Sequence, residues 1–349
     1  MLIAALRDLQ WRRKRFIIAI IGTSLVFAMT LVLTGLANGF RVEAHDTVDS
    51  LGVDTFVVKS GAVGPFLGST PFPAAELEKV EASPGVIDAV PLVYGSTTIS
   101  TGSQSHNVNT FGAPADGPGM PEVSEGRAPQ QPDEIAVSST MKRRVGENLE
   151  IGSRTLKIVG IVEHSTALAN QPNAFLTVTG AQQLIFGGQP LISSIGIKGT
   201  PDRLPEGFKA MDRDGAAYDM MRPLKSAVDA ISLMAVLLWV VAALIVGSLI
   251  YLSAMERMRD FAVFKAVGVT SRAILGGLVL QAVLVAILAA AVGVVVSKLL
   301  APLFPMQVVV PGLAFLLLPV VAVGTGLVAS GAGLRRVVTV DPALAFGSK

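Results

Sequence analysis

Glu256, Arg257, Arg259, Asp260 and Lys265 place five charged side chains within ten positions, and with Arg272 they lie between two long stretches that contain no Asp, Glu, Lys or Arg. Phe261, Phe264 and Val267 recur among them at i, i+3 and i+6, which reads as a short helix with one apolar stripe and charges of both signs. Gly268 can end that helix in the left-handed conformation, and Ser271 can cap the next one. The chemistry is recognition rather than bond-making. Such a helix either docks into a groove on a soluble partner or lies among lipid headgroups, and composition leaves both open.

Residue types suited to catalysis are scattered. His45, His106 and His164 lack H-x-x-x-H or H-E-x-x-H spacing, and the chain has no cysteine, so a zinc site is not expected. Ser138 and Ser139 stand without a G-x-S-x-G elbow and read as a helix cap. No G-x-x-x-x-G-K-[ST] sequence occurs, so the chain has no Walker A cradle for nucleotide phosphates. The expected sets of catalytic, cofactor-binding and metal-binding residues are all empty.

The elements that must position the charged loop are membrane spans. Phe16 to Phe40, Ala230 to Met255, Ala273 to Ser297 and Leu299 to Leu334 contain no Asp, Glu, Lys or Arg. Each exceeds the roughly 20 apolar residues that carry a helix across about 30 Å of hydrocarbon. Pro302, Pro305 and Pro311 break the last run early, which leaves an outer loop before the fourth span. The expected order is an interfacial amphipathic helix at 1–15, then spans at 16–40, 228–255, 272–297 and 313–334. A coupling segment at 256–271, an outer loop at 298–312 and a tail at 335–349 complete it. Gly35 and Gly39 form a G-x-x-x-G at the outer end of the first span, a pattern that lets helices approach closely, here read as a helix-packing position or dimer seam. Trp239 and Tyr251 read as packing or interface residues, and Asp229 as a residue at the outer edge of the second span.

Charge sets the orientation, since Lys and Arg are retained on the cytoplasmic side. The N-terminal segment, the 256–272 loop and the tail together carry a net +8, whereas 41–227 carries −6. A nearly neutral chain is thus polarised, with both termini inside, 41–227 outside and no reason to expect a nucleic-acid partner. The first apolar run is too long for a cleaved secretory signal and reads as a retained anchor. Without cysteine, the outer block must be stabilised by its own core.

That block reads as mixed α/β. Short β-rich runs lie at 54–59, 86–93, 134–138, 149–151, 155–162, 174–178 and 194–198, with helices expected at 74–82, 139–145 and 180–185. Ser60 to Pro73 and Ala113 to Pro132 read as loops, and from Gly215 the pattern turns helical toward the second span, with Pro223 suited to a first helical turn. The fold class expected is therefore four transmembrane α-helices, one plus three, with a large mixed α/β extracytoplasmic domain inserted after the first.

Three pieces of sequence resemble a known family. ERMRDFAVFKAVGVTSRAI resembles the cytoplasmic loop of the bacterial ABC permeases grouped as the MacB, FtsX and lipoprotein-release type. Gly126 to Ser165 resembles that family's outer-domain segment, in which a Gly-Arg precedes an EIAVS strand and a VGIV strand, and Val340 to Phe346 resembles its Asp-Pro-x-x-Ala-Leu ending. Phe261 to Ala266 departs from the family's Ile-Gly-x-x-x-Ala, so Lys265 is less firmly placed than Glu256, Arg257 and Gly268.

The resemblance implies a permease that lacks enzymatic activity of its own, works as a homodimer in membrane lipid, and is driven by a separate ABC ATPase subunit that binds ATP and Mg. It implies mechanotransmission, with Glu256, Arg257, Arg259, Asp260, Phe261, Phe264, Lys265 and Gly268 as the grip for the ATPase. Export of a hydrophobic or amphiphilic substrate is the favoured reading, and some relatives export haem. Signalling to a cell-wall hydrolase through an extracytoplasmic partner protein, and uptake of a small polar nutrient such as an amino acid, are the alternatives.

Overall fold

A computed structural model describes residues 13–101, 104–152, 154–256, 263, 267–317, 319–321 and 323–324. The chain divides into two units, Met1–Gly39 with Ala227–Lys349, and Phe40–Ser226.

Three described helices are long and apolar enough to cross a membrane, at Phe16–Ser50, Arg213–Ile245 and Val279–Leu303, and a shorter apolar helix covers Gly312–Val321. The first lies in helix α1 (Arg13–Ser50). In the first unit, Phe27 and Leu31 of α1 are buried against small residues: Ala242 of the helix Lys225–Glu256, and Ala286, Ala289 and Ala290 of the helix Ser271–Leu300. Trp239 joins them, its ring 6.2 Å from that of Phe27. Small residues are what helix packing in lipid requires, because close approach rather than water exclusion supplies the attraction. A Cβ on Gly293 would sit 2.9 Å from Cβ of Phe27 and 3.1 Å from the carbonyl of Ser24, so two helix backbones meet there. Ile17, Ile18, Ile21 and Leu25, and Leu233, Val236, Leu237 and Leu244, point outward.

The second unit is built on one eleven-stranded sheet. Strands β1 (Thr55–Lys59), β2 (Phe72–Pro73), β3 (Val86–Thr101) and β4 (Gln104–Gly112) open the unit, β2 lying outside that sheet in a two-stranded one, with helix α2 (Leu77–Glu81) between β2 and β3. Then follow β5 (Glu125–Gly126), β6 (Glu134–Ser138), β7 (Asn148–Ile151), β8 (Arg154–Val162), β9 (Thr166–Ala167) and β10 (Gln171–Leu176). Helix α3 (Val178–Ile185), strands β11 (Leu191–Ile192), β12 (Ser194–Gly199) and β13 (Phe208–Met211), and helix α4 (Arg213–Met221) complete the unit. A 3-10 turn at Arg222–Leu224 and helix α5 (Lys225–Glu256) continue the chain, and α6 is Ser271–Leu300.

β3 is the strand that joins two halves. Its first part pairs antiparallel with β12, and its second pairs with β4 from Val93↔Gly112 to Thr101↔Gln104. From there β4 pairs with β10, β10 with β6, β6 with β8 and β8 with β7, and β7 returns to β3 at Ile99↔Ile151. The circuit of six strands closes on itself, which leaves it no free edge.

Period-two alternation sorts the strand residues into two cores. Ala89 and Val93, Ile135 and Val137, and Ala174 and Leu176 face one, with Ile99, Val108, Leu149, Ile151, Leu156 and Ile158. Val90, Leu92 and Tyr94, Ala136, and Phe175 face the other, where Ala44 and Val48 of α1, Leu51 just after it, and Ala216, Ala217 and Met220 of α4 cover them. Phe66 stands at the centre of that second core, 5.4 to 5.9 Å from the rings of Phe56, Tyr94 and Phe111.

Two local expectations are corrected. The helix expected over 139–145 is a single 3-10 turn, Ser139–Met141: Ser138 caps it, and Lys142 ends it at a φ of +53°. The Ser/Thr-rich run 96–101 and the polar run 104–112 are a hairpin, where no strand was expected.

Candidate functional site

Of the residues expected to grip an ATPase, Glu256 lies in helix α5, as its last described residue. Arg257, Arg259, Asp260, Phe261, Phe264 and Lys265 lie outside the described residues. At the far end of the segment, the Val267 N–H donates to the Val263 carbonyl at 3.1 Å, one helical turn back, and Gly268 follows at a φ of +92°. Val267 is 78% exposed. The next helix is capped by Thr270, whose hydroxyl accepts from the Ala273 N–H; Ser271, the expected cap, is instead the first helical residue.

Gly35 and Gly39 meet their own chain. A Cβ on Gly35 would lie 2.7 Å from Val310 Cγ2 and 2.8 Å from Val308 Cγ1, and one on Gly39 would lie 1.9 Å from the Gln307 carbonyl oxygen. The Val309 N–H donates to the Gly35 carbonyl at 3.0 Å, and Asn38 Nδ2 donates to the Val309 carbonyl at 2.9 Å. The spacing of the glycine pair suits a helix-packing position or a dimer seam. In the structure its face is taken by the extended segment 307–310, because only a residue without a side chain lets that backbone come so near.

The second unit contains two sites that sequence reasoning missed, each a buried carboxylate on a helix that bonds a distant loop. Glu43 of α1, 5% exposed, accepts from the Asn170 N–H at 2.7 Å and the Ala169 N–H at 3.1 Å. Leu168, Ala169 and Asn170 all have positive φ, at 53°, 69° and 67°. Successive residues of this kind are costly outside glycine and aim their N–H groups at one point, which suits an anion. One helical turn on, Thr47 donates to the Thr166 carbonyl at 2.7 Å. Asn173 Nδ2 reaches Thr47 Oγ1 at 3.5 Å and Ser165 Oγ at 3.1 Å, and Asn109 Nδ2 donates to Asn173 Oδ1 at 3.2 Å. The Tyr94 hydroxyl donates to Asn109 Oδ1 at 3.2 Å.

Asp219 of α4, 1% exposed, makes the second site. It accepts from the Phe66 N–H at 2.9 Å and the Gly68 N–H at 3.0 Å. Gly64 and Gly68 are shaped around it, since a Cβ on either would fall within 2.6 Å of its carboxyl group. Burial, with the Asp219 carboxylate as a lesser cause, pushes the Tyr94 phenol well above its ordinary range. Between the two helices, Arg213 donates to the Val53 carbonyl at 2.7 Å and to Asp54 at 2.6 Å, and stands 3.6 Å from Asp49.

Residues 16–210 match the MacB-like periplasmic core domain, and residues 232–342 match the FtsX-like permease C-terminal family. An uncharacterized ABC transporter permease of Mycobacterium tuberculosis (strain ATCC 25618 / H37Rv) is 65% identical over 347 residues, 99% of each chain. The chain belongs to the MacB/FtsX-type ABC transporter permeases. A putative hemin transport system permease protein HrtB of Staphylococcus haemolyticus is 22% identical over 360 residues, 98% of each chain. The periplasmic region of MacB from Actinobacillus actinomycetemcomitans aligns over 53% of this permease and 96% of that chain at 13% identity, with a TM-score of 0.35.

The permease's Gly-Arg and EIAVS pieces acquire a physical reason. Gly126 has a φ of +84°, and a Cβ there would lie 2.2 Å from the Val159 carbonyl oxygen. Arg127 then forks onto both oxygens of Glu134, one at 2.8 Å, and the N–H groups of Gln130 and Gln131 bond the same carboxylate. Arg127, followed by those N–H groups and against the opposing effect of burial, lowers the Glu134 carboxyl to about 2. The motif is a buckle that fixes the entry to β6, a structural role. Among the described residues no three His, Cys, Asp or Glu side chains gather as a metal site requires, and His45, His106 and His164 stand on separate elements.

Proposed function

We propose that this permease couples ATP hydrolysis by a separate ATPase subunit to movement of its α/β domain, and that the cycle extrudes a hydrophobic or amphiphilic substrate. The ABC permease family implies the ATPase partner. ATP and Mg belong to that partner, since the chain lacks a Walker A sequence. The chain works as a homodimer in the cell membrane, with four spans per copy, both termini cytoplasmic and residues 41–227 outside, the orientation its charge distribution favours.

The single observation that carries the substrate class is the character of the first unit. Its described apolar core includes Phe27, Leu31, Trp239 and alanines, its buried polar side chains are the uncharged Thr23, Ser24, Thr30, Gln281 and Ser297, and the stretches Phe16–Phe40, Ala230–Met255 and Ala273–Ser297 hold no charged side chain. A polar solute crossing there would go unsolvated, at a cost of about 2–7 kcal/mol per unpaired polar group, whereas an amphiphile can move in contact with lipid. The residues 256–268 act as the grip: the ATPase must bind two permease states differently, since equal binding shifts nothing.

ATP turnover of the reconstituted complex, measured with haem, lipopeptides, hydrophobic antibiotics and amino acids in turn, tests this reading. The hemin-permease name borne by a relative makes haem the first probe. Stimulation by an amphiphile is expected. Stimulation by amino acids alone would replace export with uptake.

A further inference from the structure

We propose that Glu43 and Asp219 are positioning residues of the transport cycle, each fastening one helix to a loop of the α/β domain so that displacement of the helix is passed into the sheet. The inference rests on the reading that ATP drives movement of that domain. Four observations carry it.

First, both residues sit on the helices whose chains continue into apolar spans, α1 directly and α4 through the turn at Arg222–Leu224. Second, the apolar contacts of those helices with the domain are made largely by small or smooth side chains, Ala44 and Val48 on one and Ala216, Ala217 and Met220 on the other. Hydrophobic contact is non-directional and resists sliding or rotation weakly. A carboxylate held by two main-chain N–H groups is directional and strong.

Third, the loops are formed around the carboxylates rather than the reverse. Leu168 to Asn170 hold an unfavourable left-handed conformation facing Glu43, and Gly64 and Gly68 leave room that Asp219 fills. Such strain persists only where the surroundings over-determine it. Fourth, a buried polar row leaves α1 one helical turn beyond Glu43. Thr47, Asn173, Asn109 and Tyr94 are linked by hydrogen bonds in that order, which carries the row from the helix into the sheet. Directional bonds in series transmit a displacement that a greasy interface would absorb.

The test uses the full chain with its ATPase in lipid nanodiscs. Because the chain has no cysteine, Asp116→Cys and Leu303→Cys, both exposed, carry spin labels, and the distance distribution is recorded without nucleotide and with ATP and vanadate. The parent complex shows a nucleotide-dependent shift. Glu43→Ala and Asp219→Ala keep ATP turnover but show a shift about fivefold smaller per folded molecule, because the N–H groups lose their acceptor. Glu43→Gln and Asp219→Asn retain shape and one acceptor oxygen and show a shift about twofold smaller, and they carry the test if alanine prevents folding. A lower melting temperature with an undiminished shift in the folded variants would overturn the fastening alone. A parent complex that hydrolyses ATP without any shift would overturn the moving-domain reading, and the fastening with it.

Discussion

Replacing Gly39 by alanine puts a methyl group 1.9 Å from the Gln307 carbonyl oxygen and 2.9 Å from its carbon, both main-chain atoms that have no rotamer to escape into. The segment must move by about 1–1.5 Å to restore van der Waals separation. That displacement breaks the bonds from the Val309 N–H to the Gly35 carbonyl and from Asn38 to the Val309 carbonyl, each worth about 0.5–1.5 kcal/mol. Residual overpacking adds about 1–3 kcal/mol, for a total of about 2–5 kcal/mol. Gly35→Ala meets the methyl groups of Val310 and Val308 and, at 3.2 Å, the Val310 main-chain nitrogen, and costs about 1–2 kcal/mol. The assay is maleimide labelling of a Val308→Cys reporter in the otherwise cysteine-free chain, with detergent-solubilised melting as a second readout. Gly39→Ala should expose the reporter and lower the melting point, with Gly35→Ala following weakly. If Gly39→Ala left both unchanged and altered only the oligomeric state, the glycine pair would face a second copy and the packing described above would be wrong.

Three further outcomes follow from the structure. Glu134 has its pKa lowered below the ordinary carboxylate value of 4.5, to about 2, so the stability it contributes is fully present above about 4.5 and is lost as pH falls through about 2. Melting of the permease between those values should show that loss, and Arg127→Ala should reduce it. Phe66→Ala opens a cavity among Phe56, Tyr94 and Phe111 and should cost about 3–5 kcal/mol in denaturant unfolding, with expression falling accordingly. Gly268→Ala forces a side chain onto a φ of +92° in open space at about 1–2 kcal/mol. It should lower ATP-driven transport while membrane insertion is unchanged, and Gly268→Asn should be milder.

The sequence made the fold class legible because its strongest signals are physical ones. Long uncharged runs separate from a Gly- and Pro-punctuated block, and β6 was found at its observed bounds because EIAVS is a fully buried run beside Pro132 and Asp133. β4 was missed because Asn109 and Thr110, polar by type, are fully buried, which cancels the alternation that marks a strand. The helix expected from Ser139 stops after one turn because Lys142 adopts a left-handed conformation that nothing in STMKRRV shows. The two buried carboxylates were invisible for another reason. An acidic residue on an amphipathic helix ordinarily faces water, and Glu43 finds its N–H partners 126 and 127 residues away, Asp219 up to 153. The Gly64 and Gly68 spacing around Phe66 was the one available trace, and it reads equally well as an ordinary loop. Most of the charged grip lies outside the described residues, so Arg257 to Lys265 rest on the family's loop pattern and their charge alone.

In the function proposed above, this polypeptide carries displacement generated by another. ATP hydrolysis by the purified permease, measured alone and then after addition of its ATPase, with Arg257→Glu and Asp260→Lys in parallel, addresses it most directly. No turnover by the permease alone, turnover once the ATPase is added, and loss of substrate-stimulated turnover on charge reversal are expected. Unaided hydrolysis, or stimulation indifferent to both reversals, would contradict it.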